Sequence, residues 1–207
     1  MLITLYHHAK SDRYGNDEKM LDRHFAFIAK HFRSVHPGEK GICLTFDDAY
    51  DNFYTCAYPL LQKHGLKAML GVPTALIGTP GYCSWEQINE MAGDPLIAIA
   101  SHTHTHADLS TCKDLESEIV QSKQMLEPYG VNTLILPYGR FSEKALELAS
   151  EHYRYIMRIG TAMNRSWDQR LLYRVPCDQL KSPSEPFTIF KQLCYRARYY
   201  LNRFRKR

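Results

Sequence analysis

Short apolar runs alternate with longer amphipathic stretches along the whole chain. Several of the runs are apolar almost without interruption, which is typical of parallel strands covered on both faces. Between them, apolar residues recur at helical spacing. The predicted strands are 3–7, 41–46, 67–72, 96–101, 133–138, 153–159 and 171–176, and the predicted helices are 18–33, 51–64, 85–92, 113–128 and 142–151. This alternation indicates an α/β fold with one domain, in which seven parallel strands form a closed or nearly closed barrel.

The composition is that of an ordinary globular domain. The chain has 207 residues, of which 44% are hydrophobic, enough for one sizeable core. No run approaches the roughly 18 consecutive apolar residues that a membrane span needs, and the first residues do not form a secretory leader. The six cysteines are scattered without a CxxC pair, which favours reduced thiols. We therefore expect a cytoplasmic protein.

Polar residues follow four of the predicted strands at the point where each strand ends. They are His7 and His8, Asp47 and Asp48, Ser101 and His102, and the segment 137–139. Because the carboxyl ends of parallel strands meet at one mouth of a barrel, we expect these residues to converge there.

The adjacent aspartates and the histidines near residue 102 suggest a metal site. His102 and His106 are four residues apart, a spacing that predicts one face of a helical turn. One aspartate with two histidines is a common ligand set for a divalent metal, and a second aspartate is then free to act as a base. Taken alone, the aspartates also fit a solvated loop or a helix N-cap, and the histidines also fit a polar loop. Their joint occurrence at strand ends favours the metal site.

Three segments carry a resemblance to a known family. TFDD (45–48), SHTHTHADL (101–109) and LPYG (136–139) resemble the first three motifs of the polysaccharide deacetylases, also called the NodB-homology or carbohydrate esterase family 4 domain. The opening ITLYHH and the later LLYRVP resemble strands of the exopolysaccharide deacetylase branch. The resemblance implies a distorted (β/α)7 barrel over residues 1–187 and hydrolysis of a carbon–nitrogen bond other than a peptide bond.

The resemblance also implies a role for each matching residue. Asp47 would be the general base, while Asp48, His102 and His106 would hold one divalent transition metal, zinc or else cobalt or nickel. The segment Pro137, Tyr138 and Gly139 would contact the substrate, with the Tyr138 backbone N–H as an oxyanion donor. His104, between the two ligands, is expected to support them from behind or to face solvent.

Two family features are missing at their usual positions. Ile135 stands where the family often carries an arginine that orients the base, so Arg140 or Arg174 is expected to replace it. No histidine follows His152, although the family's general acid is a late histidine. His7 is our candidate for that acid, the alternative being a histidine hydrogen-bonded within the barrel rim. His8 should point away from the core into solvent.

Residues 188–207 predict a basic amphipathic helix. Seven of the chain's 26 basic residues lie from Lys191 onward, where no acidic residue occurs. An apolar stripe runs along the helix at Phe190, Leu193, Cys194, Ala197, Leu201 and Phe204. The helix could dock on the barrel and leave a basic face in solvent, or lie on the inner face of an anionic membrane. Nucleic acid is not an expected partner.

These features lead to one principal hypothesis and two alternatives. The first is a metal-dependent hydrolase that removes an N-acetyl or other N-acyl group from an amino-sugar glycan, or from a lipid-linked or nucleotide-linked precursor. The second is a deformylase or deacetylase of a lipid-linked sugar at the inner membrane face. The third is an inactive glycan-binding module.

Overall fold

Seven parallel strands close into a barrel in chain order. The computed structural model describes residues 1–204, and their side chains through residue 202. The strands are β1 (Leu2–Tyr6), β2 (Ile42–Phe46), β3 (Ala68–Val72), β4 (Ile97–Ser101), β5 (Thr133–Ile135), β6 (Tyr155–Ile159) and β7 (Leu172–Pro176), and β7 pairs back onto β1. The barrel predicted from the sequence is thus confirmed. β5 is shorter than predicted, because residues 137–139 leave the sheet as a turn of 3₁₀ helix.

Within residues 1–204, six α-helices lie between or after the strands. They are α1 (Glu18–His31), α2 (Tyr58–His64), α3 (Trp85–Ala92), α4 (Ser122–Met125), α5 (Glu143–His152) and α6 (Ile189–Phe204). α2 and α4 each follow a wider π-helical turn, at Phe53–Ala57 and Ser117–Gln121, which explains why the sequence predicts longer helices there. α3 begins with a capping box between Ser84 and Gln87.

Strand alternation separates two apolar layers. Side chains on one face of the strands fill the barrel interior, namely Ile3, Cys43, Met69, Ala100, Ile135, Tyr155, Met157 and Leu172. The opposite face packs with the helices in the larger core cluster. Because successive side chains alternate, Asp47 follows Cys43 and Thr45 on the interior face, and Arg174 follows Leu172. Alternation therefore brings two charged side chains to the inside of the barrel.

The C-terminal helix docks on the barrel through a different face from the predicted apolar stripe. Tyr195 and Tyr199 are buried against the body of the protein, whereas Phe190, Leu193 and Leu201 are exposed. The stripe thus faces solvent. The side chain of Phe204 and residues 205–207, which belong to the predicted helix, lie outside the described residues. Among the described residues, no helix combines the length and apolar character needed to span a bilayer.

Candidate metal centre and active site

Three side chains converge at the carboxyl ends of β2 and β4. The Asp48 Oδ1 atom lies 3.4 Å from His102 Nε2 and 3.1 Å from His106 Nε2. Two ligands of one tetrahedral zinc ion are separated by about 3.3 Å, because each lies about 2.0–2.1 Å from the metal. The ligand atoms of Asp48, His102 and His106 therefore have the spacing of a metal site.

The hydrogen bonding of His102 fits a metal ligand. Its Nδ1 atom donates to the Ile135 carbonyl oxygen at 2.8 Å, which leaves Nε2, 3.4 Å from Asp48 Oδ1, as the nitrogen available to a metal. In the neutral imidazole, the form that binds metals, the Nε2 lone pair would face a carboxylate lone pair in a buried site, and a cation between them would remove that repulsion. A backbone carbonyl on the second nitrogen is also the usual way in which a metal-bound histidine is oriented. The residues present therefore fit a divalent transition metal.

The backbone around the ligands is left-handed at several residues. Asp48, Thr103 and His106 have φ values of 71°, 65° and 63°. Residues other than glycine rarely adopt this region, and such conformations persist where the surrounding structure enforces them. The segment between His102 and His106 is not helical, so the predicted helical turn is wrong. The two histidines are brought together by these irregular turns, with ring centroids 4.7 Å apart.

Glu118 holds the histidine segment in place from the π-helical turn before α4. Its carboxylate accepts hydrogen bonds from the backbone N–H groups of His104 and Thr105 at 3.1 and 2.9 Å, and from the Thr105 hydroxyl. Burial alone would raise the pKa of Glu118, but these hydrogen bonds outweigh burial and keep the pKa below its usual value. Glu118 is thus an ionised clamp that the sequence analysis did not identify.

Asp47 lies beside the metal ligands and is bound by an arginine. Arg174 donates from both terminal nitrogens to the two Asp47 carboxylate oxygens, at 2.6 and 2.8 Å, and also reaches Thr45. Burial would raise the pKa of Asp47, but the Arg174 charge and hydrogen bonds outweigh it and hold that pKa below its usual value. Of the two arginines expected near the base, the structure places Arg174 there. Arg140 instead pairs with Asp108 on the surface at 3.2 Å.

His7 faces Asp47 from the end of β1. The His7 Nε2 atom is 4.0 Å from an Asp47 oxygen, and the Nδ1 atom is 2.7 Å from Asp178 Oδ2. Asp178 also accepts the His7 backbone N–H at 3.2 Å. Burial opposes protonation of His7, but the hydrogen bond that the ring donates to Asp178 and the charges of Asp47, Asp178 and Asp48 prevail and raise its pKa. The structure thus places beside the candidate base an imidazole whose protonated form is favoured by three carboxylates.

The PYG segment borders the metal ligands from β5. Tyr138 has a φ of 56°, and its exposed ring packs edge-on against His106 with centroids 4.9 Å apart. Gly139 is also left-handed, and a Cβ atom there would lie 3.1 Å from the backbone nitrogen of Ile159. A cavity of about 740 Å³ opens beside this segment. Its lining residues are Ser110, Gly139, Arg140, Phe141, Glu143, Arg158 and Arg170.

Comparison with known sequences identifies the family. The model of the family described as polysaccharide deacetylase matches residues 34–156, more than half of the chain. The chain belongs to the polysaccharide deacetylase family. It is 36% identical over 147 residues to YxkH of Bacillus subtilis (strain 168), which covers 67% of this chain and 52% of that protein. It is 32% identical over 91 residues to the poly-beta-1,6-N-acetyl-D-glucosamine N-deacetylase of Escherichia coli (strain K12), covering 34% of this chain and 14% of that enzyme.

Solved structures show the same deacetylase fold. The Streptococcus pyogenes deacetylase PplD in complex with acetate superimposes with a TM-score of 0.80 at 22% identity, covering 89% of this chain and 95% of that one. IcaB from Ammonifex degensii gives a TM-score of 0.73 at 21% identity, covering 95% and 96%. The chain spans about half the length of YxkH and a smaller share of the E. coli enzyme.

Two further histidines, His104 and His8, lie close in sequence to the residues of the candidate site. His104 is half-buried, and its Nδ1 atom is 2.7 Å from the Thr74 hydroxyl, so it supports the loop without joining the ligand group. His8 was expected in solvent, but it is half-buried because its ring stacks on Tyr50 with centroids 4.0 Å apart. Asp178 and Glu118 are the two functional candidates that the sequence analysis missed.

Proposed function

We propose that the chain is a metal-dependent hydrolase that removes an N-acetyl or other N-acyl group from an amino-sugar glycan. The family's name describes deacetylation of polysaccharides, which supports an enzyme acting on acetylated glycans. The observation that carries the proposal is the juxtaposition of two carboxylates with different partners. Asp48 Oδ1 lies beside Nε2 of both His102 and His106, whereas Asp47 is bound to Arg174.

The metal proposed for Asp48, His102 and His106 is zinc, or else cobalt or nickel. When bound, such an ion supplies a Lewis acid that polarises the amide carbonyl and makes a water molecule more acidic. Asp48, His102 and His106 would hold it as three protein ligands. Three ligands are the number that catalytic zinc sites use, because a further position is then available to water or substrate.

Asp47 is the base in this proposal. It accepts a proton from the attacking water while the water oxygen forms a bond to the amide carbon. Arg174 keeps the Asp47 carboxylate ionised and fixed in orientation before that transfer. The Tyr138 backbone N–H can donate a hydrogen bond to the negative charge that develops on the carbonyl oxygen. One such donor stabilises the transition state by about 3 kcal/mol.

His7 is the acid in this proposal. Its proton passes to the amide nitrogen as the carbon–nitrogen bond breaks, which releases acetate and the free amine. Asp178 orients the imidazole from the other nitrogen. Pro137 and Gly139 shape the turn that presents Tyr138, and Arg140 contacts the substrate through the adjoining cavity.

Metal content and acetate release, measured on the same preparations, test the proposal. Poly-N-acetylglucosamine oligosaccharides are the first substrates, because a relative's name specifies that polymer. We expect about one transition metal per chain in the wild type and acetate release that depends on it. Asp48→Ala and His102→Ala should lose both, while His104→Ala, a matched control from the same loop, should retain both. A wild type without metal after zinc or cobalt is added back would overturn the proposal.

A lipid-linked amino sugar is the second candidate substrate. The exposed apolar stripe of α6 favours it, because a membrane contact would bring the enzyme to such a substrate. Deformylation or deacetylation of a lipid-linked sugar in vesicles, compared with the free sugar, distinguishes the two. The third hypothesis, an inactive glycan-binding module, requires glycan binding that is unaltered by Asp47→Ala and accompanied by no acyl release.

A further inference from the structure

α6 presents an apolar face to solvent along its whole described length. The exposed fractions are 80% for Ile189, 74% for Phe190, 57% for Leu193, 49% for Tyr200 and 57% for Leu201. On a helix of 3.6 residues per turn, these residues fall within an arc of about 120°. Exposed apolar side chains are common singly, but a continuous face of this kind marks a binding surface.

The opposite face of α6 fixes the helix on the barrel. Tyr199 is buried against Tyr173, and Tyr195 joins the main core. The Met163 N–H donates to the Tyr195 carbonyl at 3.2 Å, and the Asn202 side chain donates to the Gly160 carbonyl at 2.9 Å. Rotating the helix to bury the apolar face would break these contacts. The apolar face is thus held outward by the fold.

Basic side chains border the apolar face on both sides. By helical position, Arg198 lies along one edge and Arg196 lies along the other, while Lys191, beside Arg198, pairs with Glu185 at 3.3 Å. Arg196 and Arg198 are exposed, and α6 carries no acidic residue between 189 and 204. An apolar face between two basic edges is the pattern of a helix that lies in the surface plane of an anionic bilayer.

We propose that the apolar face of α6 docks this protein on an anionic membrane surface. The charges of α6 favour a membrane over a second copy of the chain as the partner of this apolar face. Two α6 helices packed through their apolar faces would bring their arginine edges together with no carboxylate on either helix to pair with them. Anionic headgroups meet those same edges with opposite charge, while the apolar side chains enter the boundary with the acyl chains.

Sedimentation of the full chain with vesicles tests the proposal. The vesicles are pure phosphatidylcholine, or phosphatidylcholine with about one third phosphatidylglycerol. We expect binding to the anionic vesicles that weakens with added salt. Arg196→Gln combined with Arg198→Gln should weaken it about 30-fold, since each basic residue near the surface contributes about 1 kcal/mol.

Phe190→Ser combined with Leu193→Ser should abolish sedimentation, while Met125→Ser, which removes an exposed apolar side chain from α4, should leave it unchanged. Circular dichroism of each variant checks that it is folded. If the double serine variant does not fold, the double glutamine variant still tests the proposal. Absent binding to anionic vesicles, or equal binding by all variants, overturns the proposal. So does a dimer, seen by analytical ultracentrifugation, that the serine variant dissociates. Because the readout is binding, failure here is distinct from failure of the proposed catalysis.

Discussion

The side of the barrel mouth with the proposed metal ligands lies on irregular loops, whereas the side with the proposed base and acid lies on strands and the residues just after them. Asp48 and His106 adopt left-handed backbone after β2 and beyond β4. On the other side, Asp47 and Arg174 are interior side chains of the barrel, paired across 127 positions of sequence. The first group depends on local turns and the second on barrel closure.

Because of this difference, substitutions on the two sides should have different physical consequences. Removing the His106 side chain leaves a half-buried position that water can reach. Removing a member of the Asp47–Arg174 pair leaves a buried charge without its partner, which is costly. We therefore expect variants of the metal side to fail in metal binding, and variants of the other side to fail in proton transfer or stability.

The adjacent aspartates give the sharpest contrast and the largest expected effect. Asp47→Asn should lower kcat by about 10²–10⁴-fold, because it removes the base, while metal content stays near one per chain. Asp48→Asn should instead lose the metal. Elemental analysis and acetate release on the same samples measure both quantities. Asp51→Asn, an exposed neighbour, is the matched control. Loss of metal in Asp47→Asn would show that the two carboxylates do not divide the roles.

Arg174→Met should give the largest loss of stability. The substitution leaves the Asp47 carboxylate buried without its cation, so the free energy of unfolding should fall by about 3–5 kcal/mol. Arg170→Met, which removes an exposed arginine paired with Glu143, should cost less than about 1 kcal/mol. Urea unfolding measures both. Similar losses in the two variants would contradict the assignment of Arg174 as the buried partner of Asp47.

The fold could be predicted because both layers of the barrel follow local patterns. Near-continuous apolar runs mark strands covered on two faces, and all seven predicted strands occur. β1 ends one residue early, and β5 ends three residues early, because Pro137 begins the turn of 3₁₀ helix. The face of α6 could not be predicted in the same way. Its apolar stripe suggested a docking face, yet Tyr195 and Tyr199, which are polar at their tips and large, form the contact.

The residues of the candidate site also differ in how far the local sequence predicts them. Asp48, His102 and His106 lie in two compact motifs, so spacing suffices to propose them. Arg174 was one of two alternatives, and the signal that favours it is a lone charge inside an apolar strand.

Asp178 and Glu118 were missed for different reasons. Asp178 follows the end of β7. Inspecting polar residues at the carboxyl end of this strand, as was done for four other strands, would have found it. Glu118 shares a helical face with Leu115 and Ser122, both buried, and a carboxylate in that position indicates a buried partner. Its actual partners are two backbone N–H groups and the Thr105 hydroxyl, which no sequence pattern marks.

Asp178→Asn sharpens the assignment of the acid. Without the Asp178 charge, the pKa of His7 should fall. His7 must be protonated to donate, so the alkaline limb of the pH–rate profile should move to lower pH, and kcat at neutral pH should drop by about 10–100-fold. Asp22→Asn is the matched control, because Asp22 pairs with His64 at 2.7 Å outside the mouth. An unmoved alkaline limb in Asp178→Asn would remove His7 from the mechanism.

Glu118→Gln tests the smallest effect, on the clamp behind the metal ligands. Glutamine keeps one carbonyl acceptor for the backbone N–H groups but loses the charge, so the free energy of unfolding should fall by about 1 kcal/mol. Metal affinity should fall by about tenfold, as it does when a group that orients ligands is weakened. Glu116→Gln, an exposed change two residues away, should alter neither quantity. Competition with a chelator measures the affinity. If Glu118→Gln holds metal as tightly as wild type, the histidine loop is set by its own left-handed turns and not by the clamp.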